Sequence, residues 1–237
     1  GIMININQKL FHGINLGNYD EYIGNLTDLE VLDSILKLGS ILSRKDLKRL
    51  KICNPINQNY YQKIDEVCLA YHPNNSKFNV TPDFLFREDA FYDFVMYHIS
   101  IILDEKILND NSYTIEGIPR ELRVLHSISL PEYMVAIGYN DKITTIVTTI
   151  NNLIDEKNYA KLKKLVYNSY YHEFLITKNI EQYIEYEFEC YNRIKALLIS
   201  NGYTIPIVDP FTGNEHDSIE NSIIKSETVI KKMKQII

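Results

Sequence analysis

Four places in this 237-residue chain gather side chains able to do chemistry. The first is His12-Gly13, at the end of the apolar piece Leu10-Phe11. A histidine can hold or move a proton near neutral pH. A glycine lets a ligand approach the backbone where a Cβ would obstruct it. The second is Cys68 with His72 in EVCLAYH. Residues four apart on a strand share a face, which is the least that a Cys–His nucleophile requires. The third is a pair of carboxylates, Glu116 and Glu121, on either side of GIPR. The fourth comprises the short clusters His172-Glu173 and Glu215-His216-Asp217. Neither has metal-ligand spacing, so no metal site is expected.

The usual signatures of other chemistries are missing. There is no GxGxxG for a Rossmann dinucleotide site, no GxxxxGK[ST], no HExxH and no GxSxG. Cys53, Cys68 and Cys190 are odd in number and far apart, with no CxxC. A reducing compartment, or export without disulfides, fits that usage. The net charge of −6 argues against a protein that holds nucleic acid by a broad basic surface. The run SRKDLKRLK (43–51) reads as a solvated helix face. No apolar stretch approaches the ~20 residues of a membrane span. The opening GIMININQKL lacks the basic and apolar regions of a signal peptide.

The elements that must position these residues change character near residue 140. Before it, β-prone runs alternate with loops. Gln8–His12 reads as a short strand. Thr27 opens a capping box, TDLE, so a helix is expected over 28–38, with Gly39 turning left-handed beyond it. A shorter helix is expected over 45–51. Strands are expected over 66–72 and 98–104, and over 121–128 with Arg123 facing outward. Residues 132–139 fit helix or strand. From Asp141 onward the period is helical: one helix to about Ile154, a second over 158–177, a third from Ile180 to Ser200 and a last over 218–236. The stretch YTIPIVDPFTGNEHD reads as loop.

Taken in order, several segments resemble the ADP-ribosyltransferase superfamily, in its diphtheria-toxin-like, PARP-like and DarT-like branches. LFHG resembles the His-Gly motif. LDSILKLGSILSRK resembles the helix and turn that follow it. RELRVLHSISLPEYMVAI resembles the strand that carries the catalytic glutamate and the segment after it. The resemblance covers roughly residues 8–140 and implies an α+β fold in which split antiparallel sheets face a cleft. Residues 141–237 would be a helical extension or lobe.

The resemblance also implies a site. NAD, as a substrate, would lie across the cleft. His12 would hydrogen-bond the adenosine ribose, and the backbone of Gly13 would meet the nicotinamide carboxamide. Tyr71 would stack on nicotinamide, and Ser43 and Arg44 would add contacts from the helix-and-turn segment. Glu121 would be the catalytic carboxylate, with Glu116 in reserve. Position 119 is Pro, so there is no Glu-x-Glu, which speaks against the arginine-modifying branch. The implied setting is a bacterial toxin or effector, cytoplasmic or exported into a host cell. ADP-ribose would pass to a macromolecule, protein in preference to nucleic acid, or to water. Two rivals stand beside it: a non-catalytic interaction protein of the same fold, docking a partner through the C-terminal helices, and an unrelated hydrolase using Cys68 or a carboxylate pair.

Overall fold

The computed structural model describes residues 3–14, 28–50, 65–71, 99–118, 121–139, 142–167, 180–210, 212–216 and 219–237. Thr27, Cys53, His72 and the His172-Glu173 cluster lie outside them. Two compact units divide the chain: Gly1–Tyr139 with Arg193–Glu215, and Asn140–Asn192 with His216–Ile237.

Among its described residues the first unit has nine strands: β1 (Lys9–Gly13), β2 (Ser40–Ile41), β3 (Glu66–Tyr71), β4 (Ile99–Asp104), β5 (Ile115–Ile118), β6 (Glu121–Leu125), β7 (Ile128–Ser129), β8 (Met134–Tyr139) and β9 (Ile207–Val208). Seven of them form one sheet in the order β5-β6-β3-β1-β4-β8-β9, while β2 and β7 pair as a separate ribbon. Every pairing is antiparallel except β8 with β9. The α+β class expected from sequence is observed.

The two separate sheets expected with it are absent from the described strands. The reason is β1, which hydrogen-bonds on both edges. Against β4 it pairs over its whole length, from Lys9↔Asp104 to Gly13↔Ser100. Against β3 it pairs only at Leu10↔Tyr71 and Phe11↔Ala70. The β1–β3 seam is therefore short, and its ladder ends just before His12.

Local signals account for many of these elements. Helix α1 (Asp28–Leu38) turns Leu29, Val31, Leu32, Ile35 and Leu36 inward, at helical spacing. Gly39 follows at φ +65°, a conformation that costs glycine little. Its amide returns to Leu36 O at 3.2 Å. Helix α2 (Arg44–Arg49) starts earlier than expected because Ser43 caps it, accepting from the Asp46 amide at 3.2 Å. The strand expected over 121–128 breaks at His126, which takes φ 66° and donates its amide to Asp65 O at 2.6 Å. The ambiguous 132–139 segment resolves into both structures. Helix α3 (Leu130–Tyr133) begins beside Pro131, and β8 follows it at once.

The second unit is helical: α4 (Lys142–Asp155), α5 (Tyr159–Val166), the first part of α6 (Ile180–Ser200) and α7 (Ile219–Ile236). Val147, Ile150 and Leu153 of α4 meet Leu162 and Val166 of α5 and Val229, Ile230 and Met233 of α7 in one buried cluster. The second helix, expected over 158–177, stops at Val166, and residues 168–179 are outside those described. Lys157 at φ 56° separates α4 from α5, and its amide closes on Ile154 O at 3.0 Å. Residues 193–215 were expected in the helical extension. They belong to the first unit, because Ile207 and Val208 extend the sheet as β9 alongside Ile137 and Gly138.

Candidate functional site

The sheet order makes β1, β3 and β6 consecutive strands. These are the strands that carry His12, Tyr71 and Glu121. Register refines the placement. Leu10 stands opposite Tyr71, and Phe11 opposite Ala70. Leu69 stands opposite Leu122, so position 121 comes level with Ala70, in the row of Phe11 and next to the row of His12. Position 121 also pairs with Ile118 of β5. Glu116 pairs with Arg123 and is exposed.

His12 is half-buried, and its Nδ1 lies 2.9 Å from the carbonyl oxygen of Cys68. A carbonyl only accepts, so Nδ1 carries the proton and donates it. The neutral ring then presents Nε2 as an acceptor. Burial pushes the ring's pKa below the usual histidine value, and the bond to Cys68 opposes that only in part. The side chain thus bonds across to β3 beyond the last paired residues of the β1–β3 ladder. Gly13 follows it at the end of β1. Its φ is not in the left-handed region, unlike Gly39, Gly202 and Gly213. Tyr71 closes β3 and is 7% exposed.

Ser43 has a structural duty. It is 2% exposed, its hydroxyl caps α2, and its amide donates to Ser127 Oγ at 3.1 Å. The Ser127 hydroxyl in turn donates to Asp46 Oδ2 at 2.7 Å. That bond, chiefly, holds the Asp46 carboxyl below the ordinary aspartate value. The clip ties α2 to the turn between β6 and β7. The backbone of Arg44 opens α2 beside it.

Two features near the β1 terminus were not read from sequence. Ser100 stands opposite Gly13 on one side and Gly138 on the other. It is buried, and its hydroxyl has no hydrogen-bond partner among the described residues. The only sequence signal was a lone serine in the β-branched run ISIILD. The second is Arg123. Alternation in ELRVL put it outward; instead it is 5% exposed, opposite Cys68, with Nη1 3.6 Å from Glu66 Oε2. Both faces of β6 are covered there, which strand period by itself does not reveal.

A separate open depression of about 410 Å³ is lined by Lys106, Asn109, Asp110, Glu132 and Tyr133. The Tyr133 hydroxyl donates to Asp110, and that bond, chiefly, pushes the phenol up to about 12. Cys68 and Cys190 are buried and are not in disulfides. Among the described residues, no group of three His, Cys, Asp or Glu could hold a metal, and no helix is long and apolar enough to cross a membrane. No protein-family model, no curated protein and no solved structure matches this chain.

Proposed function

We propose that this chain is an NAD-dependent ADP-ribosyltransferase acting at the β1–β3–β6 strands. One observation carries the reading: the strands of His12, Tyr71 and Glu121 are neighbours in the sheet, and the ladder between the first two ends at His12. The β1–β3 seam pairs at only two positions, although it lies within one continuous sheet rather than between the split sheets that the resemblance implies. NAD would lie along it, with the adenosine ribose hydrogen-bonded to His12 and the nicotinamide carboxamide against the Gly13 backbone. Tyr71 would stack on the ring, and Ser43 and Arg44 would bound the site from α2.

In the reaction the C1′–N bond breaks, and its electron pair stays on the pyridine nitrogen of the departing nicotinamide. The ribose C1′ becomes oxocarbenium-like, and an acceptor oxygen or nitrogen attacks it, losing a proton. A carboxylate at position 121 stabilises the positive charge, and does so far more in the transition state than in bound NAD.

The test is nicotinamide release from NAD, with cell lysate as the source of acceptor. Glu121→Gln should lower the rate by a factor on the order of 10²–10³ while NAD affinity changes little. Glu116→Gln should have the smaller effect. Wild-type rates in the Glu121 variant would remove that residue from the site. A second reading, a non-catalytic binding protein, draws on His12 and Ser43, whose polar groups already have partners within the fold. NAD binding by calorimetry without turnover in any lysate would favour it.

A further inference from the structure

Seven of the chain's 25 Lys and Arg fall in two short stretches, 157–167 and 228–237, that contain no Asp or Glu. A charge of +7 there is set against −13 over the rest, where 18 basic residues face 31 acidic ones. The net charge of −6 conceals this segregation.

Both stretches lie in the second unit, and their apolar residues join the same buried cluster. With Leu162, Val166, Val229, Ile230 and Met233 turned inward, the lysines are turned out. Lys157, Lys163, Lys164, Lys231, Lys232 and Lys234 are all exposed. Tyr159 and Tyr167, at the two ends of α5, are 41% and 60% exposed. Lysine near a helix C-terminus is favoured by the helix dipole, which accounts for Lys163, Lys164 and Lys234 individually. Glu156 and Glu227 border the two stretches, and no carboxylate falls inside them.

We propose that the lysine-bearing faces of α5 and α7 form a docking surface for single-stranded nucleic acid, held through its phosphodiester backbone. Ammonium groups on flexible stems suit phosphates whose spacing varies. Exposed tyrosines offer planes on which unpaired bases stack without sequence preference. A membrane surface is the poorer fit. The large aliphatic side chains of both stretches are buried or partly buried in the cluster, so few remain to insert between lipids. The acidic remainder of the chain would repel nucleic acid and confine contact to this surface. This inference does not rest on the NAD reading.

The experiment measures fluorescence anisotropy of a labelled 20-nucleotide oligo-dT with the full chain, across a salt series. Binding should weaken steeply with salt. Lys163→Glu/Lys164→Glu and Lys231→Glu/Lys232→Glu should each weaken it by on the order of tenfold or more at 50 mM salt. Each should also reduce the slope of log K against log salt by about 1.4, the value for two lost contacts to a single strand. Lys48→Glu, an exposed lysine of α2, should leave binding unchanged. Circular dichroism checks that every variant is folded. The proposal is overturned by any of three results: no binding at 50 mM salt, equal binding by wild type and both double variants, or equal weakening by Lys48→Glu. It is also overturned if phosphatidylserine vesicles bind and the oligonucleotide does not.

Discussion

Replacing His12 by Asn tests whether the imidazole is held neutral within the sheet. The asparagine amide nitrogen reaches the place of Nδ1 and can still donate to Cys68 O, so the hydrogen bond survives while the titration is lost. In wild type, burial lowers the folded-state pKa below the unfolded value of about 6.5. Above pH 6.5 neither state holds the extra proton, and the term is silent. As the pH falls below 6.5 the unfolded chain takes up a proton that the folded chain refuses. Stability is therefore present above the unfolded pKa and lost as the pH falls toward the folded one. The slope is at most about 1.4 kcal/mol per pH unit, which bounds the loss at about 2 kcal/mol between pH 7.5 and pH 5. Urea denaturation at 25 °C, repeated across that range for both proteins, isolates the effect, because the other titrating groups cancel in the difference. For an m-value of about 2 kcal/mol/M, the wild-type midpoint should fall by up to about 1 M relative to the variant. If the two proteins lose stability in parallel, the His12 ring titrates normally in the fold, and a ring held neutral with its proton on Nδ1 is the wrong picture.

Other outcomes follow from the strands beside it. A Cβ added at Gly138 would lie 2.3 Å from Ser100 Oγ and 3.3 Å from both Ile102 Cδ1 and Pro210 Cβ. Gly138→Ala should therefore cost about 1–3 kcal/mol. Ser100→Ala should be close to neutral, since its hydroxyl has no partner to lose among the described residues. The double variant should recover most of the loss, with a coupling of about 1–2 kcal/mol in thermal or urea unfolding; additive effects would refute the contact. Arg123→Met or Glu66→Gln should each cost about 3–5 kcal/mol by removing one member of a buried charge pair. Replacing both by Met should cost less than either single change, and a double variant as unstable as their combined effects would show that the two charges do not compensate each other.

Local signals alone determined a good part of this molecule. Helix α1 and the left-handed Gly39 after it, the buried run of β4 and the helical period beyond residue 141 each depend on residues within a turn or two of one another. Propensity and amphipathic spacing act over that distance. His12-Gly13 could be singled out for the same reason, as a polar pair at the end of an apolar strand. What these residues touch was settled elsewhere. Cys68 O, which receives the His12 proton, is 56 positions away, and Ser100, opposite Gly13, is 87 positions on. Strand β9 has two residues and no pattern of its own; it exists because Ile207 and Val208 find the open edge of β8. Arg123 reads as outward by alternation and is buried because Glu66 meets it on a covered face. Pairing, register and the covering of a sheet face depend on contacts distant in sequence, each made only after the chain between has been ordered, and no window of neighbouring residues contains them.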